Sequence, residues 1–188
     1  MEIEVTKKLF TVDEYYRMGE AGIFDPEARL ELIEGEIIQM SPIGDRHAGC
    51  VNRMTDLFTY LLRGKAVVTV QNPVRLNQYN EPQPDVTLAK WRADFYSSGH
   101  PQPADILLAV EVADTTIQKD LRIKLPIYAR LGIMEFWVED LKHDRLLVFR
   151  NPEGKTYKTS LTFSKGETLS PLAFPDVAIA VDQLLGLA

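Results

Sequence analysis

The sequence has one cysteine, Cys50, no apolar run approaching the ~20 residues that cross a bilayer, and no surplus of positive charge. A lone cysteine excludes an internal disulfide and makes a thiolate zinc site untenable, so Cys50 reads as a packing residue. The opening segment Met1-Glu2-Ile3-Glu4-Val5-Thr6-Lys7-Lys8 lacks the basic-then-apolar layout of a secretion signal, and the expectation is a cytoplasmic protein with no membrane partner. A net charge of −6 and a pI near 5.1 argue against a general nucleic-acid coat protein, whose affinity comes from Lys and Arg neutralising phosphates. There is no internal repeat, no low-complexity segment and no glycine-rich phosphate loop. His100 and His143 have no acidic or histidine partner at metal-ligand spacing.

What is present is an ordinary globular composition, 45% hydrophobic and 26% charged, over 188 residues that fit one domain, 1–188. Thr11-Val12-Asp13-Glu14 is a capping-box pattern and opens a short helix that Gly19 or Gly22 ends. Segments 29–33 and 36–40 read as two strands of a hairpin turning at Glu34-Gly35. A helix from Arg46 or His47 to about Leu62 carries Val51, Met54, Leu57, Phe58 and Leu61 as its apolar stripe. Strands are expected at 66–70, 74–76, 85–89, 107–113, 135–140, 145–150 and around 157–163, with a loop from Trp91 to Pro103 and an apolar tail, 169–187, packed on the body. A strand, helix and strand around position 120 form a βαβ unit, so the expected class is α/β: a mixed β-sheet flanked by α-helices, with an extra N-terminal hairpin and C-terminal strands.

Two charges break this pattern. Glu111 interrupts the run Leu107 to Ala113, and Lys124 sits in the stripe Ile117, Leu121, Lys124, Tyr128, Leu131 of the following helix. Each would be costly to bury alone, and the cost is offset if they pair, or if they share a bound cation and a substrate. Metal-assisted phosphodiester hydrolysis needs carboxylates for a hard divalent cation and a further cation near the scissile phosphate. Asp85, at the start of a strand, could project at the same sheet edge as Glu111 and complete that set with Lys124. Lys90 is a weaker third member because strand alternation points it away from Asp85, and Lys119 because it falls off the helix stripe and should face solvent. Asp120 pairs with Lys124 at i, i+4 in the purely structural alternative. A second Pro-Asp, Pro175-Asp176, precedes no acid-bearing strand and reads as a turn.

In order and spacing, Glu31-Leu32-Ile33-Glu34-Gly35-Glu36, Ser41-Pro42, His47, Pro84-Asp85-Val86, Val110-Glu111-Val112, and then Asp120, Lys124, Tyr128, Gly132, Glu135 and Trp137 resemble the restriction-endonuclease-like nucleases marked by PD-(D/E)xK. Within them the chain resembles a large bacterial group of endonucleases long catalogued as uncharacterised. The resemblance spans nearly the whole chain and implies a restriction-endonuclease-like fold, Mg²⁺ or Mn²⁺ held by Asp85 and Glu111, Lys124 in the role of the motif lysine, and DNA rather than RNA as substrate. The usual pattern puts that lysine two residues after the acid, where this chain has Ala113, and the resemblance implies its transfer to the helix.

Glu31 either completes the metal site or is an exposed strand acid, and His47 either touches phosphate or caps its helix, the second being favoured. Trp91, Phe95 and Tyr96 either stack on bases or tuck onto the body. Arg46, Arg53, Arg63, Lys65, Lys90, Arg92, Lys119 and Arg122 either form a basic groove or a solvated mixed-charge surface, and charge alone favours the latter. A homodimer is expected only because two symmetric sites suit the two strands of a duplex. Two other classes stay open: a catalytically inactive binding module of the same fold, and a hydrolase of another phosphate ester.

Overall fold

The computed structural model describes residues 6–114 and 117–186. Thr115 and Thr116 of the strand-to-helix passage, Leu187 of the tail and the first five residues of the opening segment lie outside the described residues. Helix α1 (Val12–Glu20) opens on the capping box expected of it: Thr11 Oγ1 accepts from the Glu14 N–H and the Glu14 carboxylate accepts from the Thr11 N–H. Strands β1 (Leu30–Ile33) and β2 (Glu36–Gln39) then pair around Glu34-Gly35. Both turn residues have positive φ, 50° and 77°, the geometry of a two-residue hairpin turn whose twist matches its strands. A Cβ at Gly35 would lie 2.7 Å from Leu9 Cβ, so glycine is required there twice over.

Helix α2 (Asp45–Leu61) leads into a six-stranded sheet. Its strands are β3 (Ala66–Val70), β4 (Val86–Lys90), β5 (Ile106–Ala113), β6 (Glu135–Asp140), β7 (Arg145–Glu153) and β8 (Thr156–Ser164), adjacent in that order. Only β5 and β6 run parallel, joined by the crossover helix that the sequence places around position 120. The central strands are covered on both faces, which is why they read as continuous apolar runs rather than alternating ones. One face buries Val51, Met54 and Phe58 of α2 against Val86, Leu108, Val110, Val112 and Trp137. The tail joins this layer through β9 (Thr168–Leu169), β10 (Ile179–Ala180) and α5 (Val181–Leu185), with Ile179, Val181 and Leu184 fully buried. The opposite face packs Ile127, Tyr128 and Ile133 on Ala109, Ala113, Phe136 and Val138.

Two expectations change, and a third, the absence of one basic groove, holds. Val74–Leu76 is not a strand: its N–H groups bond Pro82, Pro101 and Asn80 carbonyls, and Val74 and Leu76 are buried as an extended loop. The crossover helix is not a single α-helix but α3 (Ile117–Lys119), a π-helical segment Asp120–Lys124, and α4 (Leu125–Arg130). The Leu125 N–H reaches back five residues to the Asp120 carbonyl, and the wider turn shifts every side chain before it relative to the 3.6-residue stripe. The basic residues do not make one groove. Lys90 pairs with Ala66 in the register of β3 and β4, so Lys65, Lys90 and Arg92 stand at the sheet end opposite Asp85. Trp91, Phe95 and Tyr96 share that distal end, where the Tyr96 hydroxyl donates to the Lys90 carbonyl and Arg92 lies over its ring at 4.4 Å. Among the described residues no helix is long and apolar enough to cross a membrane.

Candidate active site

Register brings the two acids together. Val86 of β4 faces Val110 of β5, so Asp85, just before β4, stands level with Glu111 and Val112 at one sheet end. Asp85 accepts three hydrogen bonds, from the Val112 N–H at 2.8 Å, Gln71 Nε2 at 3.0 Å and His47 Nε2 at 3.0 Å. Burial opposes its ionisation, but the His47 bond and charge, with the two other donors, prevail and hold the carboxyl below its ordinary value. The His47 imidazole is raised in turn, first by that same bond. The N-cap of α2 is Gly44, so His47 does not cap its helix; its ring lines the cavity and bonds Asp85.

Glu111 is buried and accepts from Lys124 Nζ at 2.8 Å and the Tyr128 hydroxyl at 3.1 Å. Burial drives its carboxyl up against the pull of Lys124. Burial also weakens the hold of Lys124 on its proton, but Glu111, Glu31 and Asp120 more than reverse that and keep it an ammonium. Glu31 is no exposed strand acid. It is fully buried, and it receives Lys119 Nζ at 2.9 Å, Lys124 Nζ at 3.4 Å and the Gln83 N–H at 3.3 Å. Lys119 does not face solvent as the stripe implies, because the π-helical segment puts residues five apart, Lys119 and Lys124, onto the same carboxylate.

Glu31, His47, Gln71, Asp85, Glu111, Lys119 and Lys124 line one cavity of about 250 Å³, closed on a further side by the 40–44 segment. Its wall holds five carboxylates, Glu31, Asp85, Glu111, Asp114 and Asp120, against the cations Arg29, Lys119 and Lys124. Among the described residues no three Asp, Glu, His or Cys side chains converge closely enough to hold a metal ion between them. A small hard cation does not require that: Mg²⁺ is held by one or two carboxylates and completes its shell with waters and substrate phosphates. Asp85 and Glu111, oxygen donors in an acid-rich open cavity, fit such an ion.

Behind the cavity, Glu139 of β6 is completely buried, with neither carboxylate oxygen hydrogen-bonded among the described residues. Sequence reasoning passed over it, since an acid near a strand end resembles a surface residue. Burial pushes its carboxyl from 4.5 up to about 7. The folded protein therefore holds a proton there that the unfolded chain has lost, so this contribution to stability is complete below about 4.5 and disappears as pH rises through about 7. Glu139→Gln is expected to leave thermal unfolding unchanged in acid and to stabilise the protein above pH ~7 by up to about 3 kcal/mol. A Tm shift of equal size at both ends of the range would refute this.

A family model described as "Putative restriction endonuclease", named Uma2, matches residues 12–182. The fold is similar to a crystal structure described as "a putative nuclease belonging to DUF820 from Anabaena variabilis", with a TM-score of 0.71 over 94% of this chain and 98% of that one, at 17% identity. No curated protein matches the sequence.

Proposed function

The chain belongs to the Uma2 family, "Putative restriction endonuclease", and from that premise we propose that it is a Mg²⁺- or Mn²⁺-dependent endonuclease hydrolysing phosphodiester bonds of DNA. The observation that carries the proposal is the convergence of Asp85, Glu111 and Lys124 on one acid-lined cavity at a sheet end. Asp85 and Glu111 would hold the cation, which when bound supplies Lewis-acid polarisation of a phosphoryl oxygen and a water of lowered pKa. His47, Gln71 and the Val112 N–H aim the Asp85 carboxylate, and the Tyr128 hydroxyl aims that of Glu111. Such preorganisation means that little rearrangement is needed as charge develops. Lys124, released in part from Glu111, would orient the attacking water or stabilise charge on the phosphate with its ammonium.

The inactive binding module has one observation in its favour: Lys124 and Lys119 already neutralise Glu111 and Glu31. A cleavage assay separates the readings. Supercoiled plasmid and duplex oligonucleotides are expected to be cut in Mg²⁺ or Mn²⁺ and left intact in EDTA. DNA that is bound but never cut under any divalent cation would favour the binding module.

A further inference from the structure

Lys119 and Lys124 converge on Glu31, but they sit in the cavity differently. The Lys124 side chain is only 4% exposed, sealed between Glu111 and Glu31. Lys119 is 29% exposed, and its Nζ lies 2.9 Å from Glu31 Oε1 while its stem lines the cavity. A buried ammonium can act on an atom that enters the cavity; it cannot contact a polymer running across the opening. Lys119 can do both. Its carboxylate partner takes one of the three N–H donors of the ammonium, leaving others to turn toward an anion.

Its placement is also specific. On an uninterrupted α-helix Lys119 would leave the stripe that carries Lys124. The π-helical segment between them restores it, and π-bulges of this kind concentrate at functional sites. Glu31 is correspondingly surrounded by nitrogen donors, two ammonium groups and the Gln83 N–H, an environment suited to positioning cations rather than to ligating one more.

We propose that Lys119 is a second substrate-binding cation of this site, contacting a backbone phosphate of the nucleic acid at the cavity mouth, and that Glu31 is the counter-ion that holds it in the free protein. The inference rests on the nuclease reading for its substrate class, but its test does not depend on cleavage. Binding of a fluorescein-labelled DNA duplex is measured by anisotropy over a range of salt concentrations, in EDTA and again in Ca²⁺. Removing one phosphate contact is expected to flatten the slope of log K against log salt by about 0.9. Lys119→Met should show that loss for duplexes of any sequence, Lys119→Arg should restore the slope, and Lys90→Met, at the distal sheet end, should leave it unchanged. Glu31→Gln should tighten binding by freeing the Lys119 ammonium, and the gain should vanish in the Lys119→Met background.

If the wild-type protein binds and Lys119→Met keeps the wild-type slope, the role of Lys119 is overturned while the nuclease reading stands. A Glu31→Gln gain that survives in the Lys119→Met background overturns the role of Glu31. If the wild-type protein binds no duplex in either condition, the nuclease reading fails and this inference fails with it. Cleavage by wild-type protein with an unchanged Lys119→Met slope tells the two failures apart.

Discussion

Replacing Lys124 with alanine is expected to cost the fold about 3–5 kcal/mol and to leave no measurable cleavage. The stability term follows from burial: Lys124 Nζ sits 2.8 Å from Glu111 Oε1 and 3.4 Å from Glu31 Oε2, and all three side chains are at most 5% exposed. Among the described residues, removing the ammonium leaves the buried Glu111 carboxyl with the Tyr128 hydroxyl as its one side-chain donor, and the carboxyl must then either stay an uncompensated charge or take up a proton, each at a cost in stability. Glu31 keeps Lys119 and so suffers less. The control is Lys124→Met with Glu111→Gln, in which neither charge remains. Much of the lost stability should return in that double variant, read as the urea midpoint at constant m, while cleavage should not. A Lys124→Ala protein that unfolds with the wild-type midpoint would show that the pair does not hold the site together. One that is folded and cleaves normally would remove Lys124 from the chemistry.

For Asp85→Asn the order of the effects reverses, with a modest change in stability and a large one in rate. Asn keeps the shape, but its amide must present a donor to one of three donors, His47 Nε2, Gln71 Nε2 or the Val112 N–H. One such mismatch costs about 1–3 kcal/mol. The rate should fall on the order of 10³-fold, because the Lewis-acid contribution of several kcal/mol is lost at 1.36 kcal/mol per decade. Single-turnover cleavage over a range of Mn²⁺ concentrations measures it. Wild-type rates at every Mn²⁺ concentration would rule Asp85 out as a ligand.

Comparison of residues shows where local signals suffice. The capping box at Thr11 and Glu14, the hairpin turn at Glu34-Gly35 and the stripe of α2 depend on neighbours within one or two turns, and the structure keeps each of them. Lys90 points away from Asp85 because alternation along a strand leaves it no other direction. Lys119 was misread for a physical reason: its position on a helix face is an angle accumulated over residues, and one π-helical segment changes that angle without a sequence mark as plain as glycine or proline in a turn. His47, Glu31 and Glu139 were hidden differently. Whether a polar residue on such an element meets water or another layer is settled by elements 38 residues away for His47 and 88 for Glu31.

By itself the sequence determined the α/β class, a parallel crossover around position 120 and the presence of two charges, Glu111 and Lys124, that an apolar context cannot leave unpaired. Those follow from local periodicity and from the free energy of burying a charge, which acts at every position independently of the fold. Tertiary structure alone decided what those charges meet: the register that sets Asp85 beside Val112, the inward turn of His47, and the burial of Glu31 beneath two lysines. Hydrogen bonds reach only about 3 Å, so the partners of a side chain are fixed by the packing of whole layers, and no spacing along the chain encodes that distance.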